Sequence, residues 1–94
     1  MSVNHDRICL FEADLHAAFT VSQLQIKDDS HLHAGHAGAA AGGGHFTLRI
    51  VATEFKGLNQ VARHRAVYAA LSRHFPAAIH ALIINATAPD EITN

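Results

Sequence analysis

The chain has 94 residues, 49% of them hydrophobic and only two of them proline, which excludes a disordered chain and leaves room for one small domain. A net charge of −1 excludes a general attraction to nucleic acid or anionic membrane. A single cysteine, Cys9, excludes an internal disulfide, and with neither a ~20-residue apolar run nor a signal-peptide pattern a cytoplasmic protein is expected.

Residues 4–19 read as a helix. Asn4 is a capping residue, and Ile8, Phe11, Leu15, Ala18 and Phe19 recur at three- and four-residue steps on one face. Residues 22–28 alternate, with Leu24 and Ile26 opposed to Gln23, Gln25 and Lys27, as in a half-buried strand. Asp28, Asp29 and Ser30 end it. Residues 31–44 hold five of the six glycines, several alanines and no large apolar group but Leu32, so a flexible loop is predicted there.

A second strand is predicted from the alternation over 45–54, with Phe46, Leu48 and Ile50 on one side and Thr47 and Arg49 on the other. It is expected to lie antiparallel to the first. Residues 58–74 return to a helical period, with Val61, His64, Tyr68, Leu71 and Phe75 in one stripe and Arg63 pointing away from it. Phe75-Pro76 stops that helix. A last strand over 81–87 is built on Leu82, Ile83 and Ile84, and the tail 89–94 is expected to fray.

The segment between the second and third strands is long enough for a helical crossover, which joins parallel strands. Parallel strands begin at the same sheet edge. His45 would open one and His80 would immediately precede the other. The loop carrying His31, His33 and His36 ends at His45 and so hangs over that edge. Nine histidines are present in all, and the loop histidines and His80 can meet there as a metal site of imidazoles, a ligand type that suits iron and zinc alike. Imidazole prefers a proton to a metal below about pH 6, so binding there is expected to weaken in acid.

Several runs occur in a telling order: Asp29 to His36 (DSHLHAGH), His45-Phe46, Phe55-Lys56-Gly57, Arg63-His64-Arg65-Ala66-Val67-Tyr68 and His80-Ala81-Leu82. Together they resemble a BolA protein of the histidine-loop branch, from residue 5 to Pro89. The resemblance implies a single α+β domain over 1–94, ordered α-β-β-α-α-β and class II KH-like. Its three-stranded mixed sheet would carry helices on one face.

The resemblance also implies a monothiol glutaredoxin partner and a bridging 2Fe–2S cluster shared with it and with glutathione, in iron–sulfur and redox homeostasis. His80 matches the family's C-terminal ligand and His33 the loop ligand, with His36 and His31 as alternates in the same loop. Some bacterial members bind DNA and regulate transcription, which implies an alternative role with Lys56, Gly57, Arg63 and Arg65 near the nucleic acid. A zinc- or nickel-binding histidine loop is a third reading. A homodimer is compatible with all three.

The remaining residues carry no chemistry by pattern. His64 and Tyr68 share the apolar stripe and read as core residues. Asp6, Glu12 and Asp14 spread around the first helix, and Ser72 and His74 make no nucleophile–base spacing. The glycines at 42–44 precede a strand and do not open a helix, which argues against a phosphate-cradling loop. No enzyme is expected.

Overall fold

The computed structural model describes residues 3–30 and 43–92. Helix α1 (Val3–Ala18) leads into strands β1 (Val21–Asp28) and β2 (Gly44–Ala52). A single 3-10 turn at Thr53–Phe55 precedes helix α2 (Gln60–Ala70), and another at Ser72–His74 precedes strand β3 (Ile79–Thr87). The sheet order is β1-β2-β3, with β1 antiparallel and β3 parallel to the central β2. Both strand relationships match the expectation. The second crossover helix does not form; single 3-10 turns take its place.

Alternation along each strand sorts residues between two faces. Phe46, Leu48 and Ile50 of β2 pair in register with Leu82, Ile84 and Ala86 of β3, and Leu48 and Ile50 with Ile26 and Leu24 of β1. These residues meet Phe11 and Leu15 of α1, Val67 of α2 and Leu71 at its C-terminal cap in one core. Phe11 and Phe46 pack edge to face with centroids 5.2 Å apart, a geometry favoured by the ring quadrupoles. On the opposite face Gln23, Gln25, Lys27, Arg49, Ile83 and Asn85 are exposed.

Four local expectations need correction. Asn4 does not cap α1: it lies inside the first turn and its amide donates to Asp28 Oδ2 at 3.1 Å and Ser30 Oγ at 3.3 Å, tying the helix to the end of β1. Gly44 belongs to β2 and not to the preceding loop. The rest of that loop, 31–42, lies outside the described residues. His80 stands inside β3, not ahead of it.

The fourth correction concerns the phase of α2. Its buried face is Arg63, Val67 and Leu71, continued by His74, whereas Val61 is 59% and Tyr68 42% exposed. Tyr68 instead leans on Phe75, centroids 5.2 Å apart. His64 is half-buried, its Nε2–H donating to the Ile84 carbonyl at 3.2 Å. The apolar stripe is one residue out of phase with the real buried face because that face begins with an arginine.

Arg63 is 3% exposed and every part of its guanidinium is used. Nε donates to the Leu58 carbonyl at 2.9 Å, Nη1 to the Ala86 carbonyl at 3.1 Å, and Nη1 and Nη2 form a fork with Glu91 at 2.6 Å each. A buried cation is tolerated when paired and hydrogen-bonded in this way. Glu91 lies in a 3-10 turn, Pro89–Glu91, so this part of the expected frayed tail is ordered. Arg63 and His64 together cover two carbonyls of the edge strand β3, one of the ways proteins protect a sheet edge.

Candidate functional site

The parallel register brings two histidines together. Gly44 pairs with Ile79 but His45 pairs with Ala81, so β3 carries one extra residue at that point, and the extra residue is His80. A bulge of this kind re-aims side chains. Ile79 and Leu82 both pack toward the core while His80, between them, is exposed. Strict alternation back from Ala86, Ile84 and Leu82 would have turned His80 toward the helices. The bulge frees it from that face.

His45 stands opposite, 7% exposed, with its ring centroid 5.2 Å from that of His80 and the rings inclined at 47°. Its backbone is held from both sides. Its N–H donates to Ser30 Oγ at 3.1 Å, and its carbonyl accepts from Asp29 N–H at 2.8 Å. Ser30 N–H in turn donates to Asp28 Oδ1 at 2.9 Å, and the Thr47 hydroxyl donates to Asp29. The end of β1 and the start of β2 are therefore laced together beside His80.

Gly43 and Gly44 make the close approach possible. A Cβ on Gly43 would lie 2.9 Å from His80 Cβ, 3.1 Å from the Pro76 carbonyl oxygen and 3.2 Å from His80 N. One on Gly44 would lie 2.6 Å from two atoms of the Phe46 ring. Only glycine fits either place. Gly44 N–H also donates to the Ala78 carbonyl at 3.0 Å, fixing the strand start to the approach to His80.

The segment that carries His31, His33 and His36 departs at Ser30 and returns at Gly43, both part of this edge; the three histidines themselves lie outside the described residues. The site residue missed in the sequence is His45. Its signal was there, since it was already placed at the shared edge. Gly43 had no signal, because its need for a bare Cα comes from His80, far along the chain.

The residues expected near nucleic acid do not form one free basic patch, because two of their three cations are paired within the fold. Lys56 is exposed and pairs with Asp90 at 3.9 Å. Gly57 has φ +81° with open space where a Cβ would be, so it serves the turn after Phe55. Arg63 is withdrawn into the core by Glu91, and Arg65 alone stands exposed on α2. Among the described residues no helix is long and apolar enough to cross a membrane.

Residues 15–91 match the BolA-like protein family. The chain belongs to that family. It is 39% identical over 84 residues to an "uncharacterized protein in cobS 5′ region" of Sinorhizobium, covering 87% of this chain and 90% of that one. It is 32% identical over 82 residues to the DNA-binding transcriptional regulator BolA of Haemophilus influenzae, covering 87% and 77%. SufE-like protein 1 of Arabidopsis thaliana is 40% identical over 75 residues, 74% of this BolA-like chain but only 20% of that longer protein. The solved BolA domain of Arabidopsis SufE1 superimposes with a TM-score of 0.80 at 35% identity, covering 92% of this chain and 95% of the domain. The three-stranded mixed sheet with two helices is thus the BolA architecture.

Proposed function

We propose that this BolA-like protein is a non-catalytic adaptor that binds a monothiol glutaredoxin and shares a bridging 2Fe–2S cluster with it. His80 and a loop histidine, His33 before His36 or His31, donate imidazole nitrogens; the glutaredoxin cysteine and glutathione donate thiolates. The observation that carries this reading is the bulge that lifts His80 off the core face and sets it 5.2 Å from His45 at the edge where the histidine loop begins and ends. Imidazoles fit the group, since two histidines can replace two thiolates on one iron of such a cluster, which raises its reduction potential. An exposed His80 is accessible to a docking partner, while buried His45 fixes the edge from behind.

The test is the visible absorption and circular dichroism of the purified protein mixed with a cluster-loaded monothiol glutaredoxin. A spectrum distinct from that of the glutaredoxin alone is expected. His80→Ala abolishes it, and His33→Ala weakens it less, since His31 or His36 lies in the same loop. A mixed spectrum indifferent to His80→Ala overturns the reading. Tight zinc or nickel uptake by the chain alone, with no spectral change on mixing, would favour the histidine-loop metal protein.

A second reading, a DNA-binding regulator, is favoured by the printed name of the Haemophilus relative. On α2 it now rests on Arg65, with Lys56 nearby in sequence, because Arg63 is spent on Glu91. Fluorescence anisotropy with duplex DNA tests it: Arg65→Ala lowers affinity and reduces the salt slope by about one unit.

A further inference from the structure

Two cations of the described residues are left without a partner. Lys27 pairs with Asp29, Lys56 with Asp90, Arg63 with Glu91 and Arg73 with Asp14, and Arg7 donates to Asn4. Among the described residues the side chains of Arg49 and Arg65 make no ion pair or hydrogen bond. Arg65 is one exposed side chain on a helix. Arg49 is placed differently.

Arg49 stands mid-way along the central strand on the face that carries no helix. It is in register with Gln25 of β1 and Asn85 of β3, and all three are exposed, so a guanidinium is flanked by a carboxamide on either side. Two adjoining depressions, of about 250 and 240 Å³, share Arg49 and Gln23. The first is also lined by Val51, Thr87 and Ile92 and rimmed by Glu91; the second is also lined by Leu24 and Gln25. Glu91 does not compensate Arg49, because both its oxygens already accept from Arg63 at 2.6 Å and Oε1 also accepts from Ala88 N–H at 3.0 Å.

A guanidinium presents a planar fork of N–H donors that matches a phosphate bidentately. Carboxamides offer both a donor and an acceptor, which suits the edge of a base or a sugar hydroxyl. Each depression is smaller than the ~300–1,000 Å³ of an ordinary small-molecule pocket and so takes a ring rather than a whole molecule.

We propose that the open face of the sheet binds a nucleotide phosphate: Arg49 holds the phosphate, and Gln25, Asn85 and the flanking depressions hold the uncharged groups attached to it. The phosphate can belong to a free mononucleotide or to a single strand of nucleic acid. The site lies mid-strand, away from the His45–His80 edge, and does not depend on any metal there. With one cation and no aromatic ring among its residues, binding is weak, and for a single strand the salt slope is about −0.7.

The experiment is an amide-detected NMR titration of the full chain with adenosine monophosphate, with a short single-stranded oligonucleotide and with inorganic phosphate. Shifts are expected at Gln25, Arg49, Asn85 and Thr87, with affinity falling at least about tenfold in Arg49→Gln and unchanged in Arg73→Gln, an exposed cation away from this face, the tenfold being one good bidentate contact. Both variants are surface changes, so folding is not at stake. Equal affinity for the mononucleotide and the strand assigns a free nucleotide. A tighter strand with the expected salt slope assigns nucleic acid. Either supports the proposal. Shifts that survive Arg49→Gln, that disappear in Arg73→Gln, that occur with inorganic phosphate only, or that are absent with all three ligands overturn it.

Discussion

Gly43 and His80 are in contact so close that neither could carry a larger group at that point: a Cβ on the glycine would sit 2.9 Å from the Cβ of the histidine. Two of the three atoms it would meet, the Pro76 oxygen and His80 nitrogen, are backbone and cannot swing aside. Gly43→Ala therefore shifts His80 or the chain end that leads into β2. Overpacking of this sort costs about 1–3 kcal/mol, and the histidine-dependent spectrum with a glutaredoxin is expected to weaken although no imidazole is removed. Gly57→Ala, strained only by its φ of +81°, is the control. It costs about 1–2 kcal/mol for the left-handed conformation and leaves the spectrum alone. Equal spectral effects from both would mean that stability, not position, governs the site.

The phase of α2 can be checked by paired truncations followed in urea. Leu71→Ala removes a side chain that is 1% exposed and should cost about 2–5 kcal/mol. Val61→Ala, at a position 59% exposed, should stay within about 0.5 kcal/mol. Comparable losses at the two positions would restore the stripe of Val61, His64 and Tyr68 as the buried face.

Arg63 and Arg65 are two residues apart and should behave as opposites. Arg63→Ala strands the Leu58 and Ala86 carbonyls and the Glu91 carboxylate, so the unfolding midpoint falls clearly. Arg63→Lys does not restore it, because an ammonium cannot supply the fork. Arg65→Ala leaves the midpoint in place. A near-neutral Arg63→Ala would show that the tail is not held by this pair.

Acid should weaken the fold through two carboxylates. Asp14 accepts from Arg73 Nε at 2.8 Å and from His74 Nε2–H at 2.7 Å, and its pKa is lowered to about 2, chiefly by the Arg73 hydrogen bond and then by that of His74. Glu91, held first by Arg63 and then by Ala88 N–H, is likewise lowered to about 2. A carboxylate depressed in the folded state contributes fully above its unfolded pKa, and the contribution fades as pH falls through the folded one. Stability should thus decline between about pH 5 and pH 2, in step with protonation of these two groups. Asp14→Asn and Glu91→Gln should each start lower and decline less steeply in thermal melts. Parallel curves for variants and wild type would remove these groups from the account.

Much of the scaffold could be read from local pattern. Alternation placed Leu24 and Ile26, then Phe46, Leu48 and Ile50, on the core face, and the length between the strands suited the parallel pairing of β2 with β3. That pairing already put His45 and His80 at one edge. What the pattern mistook was every residue whose role depends on a distant partner. Arg63 looked solvent-facing because its carboxylate lies 28 residues away in a tail without pattern.

The sequence by itself determined the strands, their directions and the family, because side-chain periodicity and motif order are local properties of the chain. Only the tertiary structure decided which face of α2 is buried, that the end of the chain is pinned by Arg63, and that His80 is the extra residue of a bulge. The reason is physical: a buried charge, a close backbone approach and a re-aimed side chain are each settled by atoms from another part of the chain. Gly43 against His80 and Glu91 around Arg63 are relationships across space, and no periodicity along the chain encodes them.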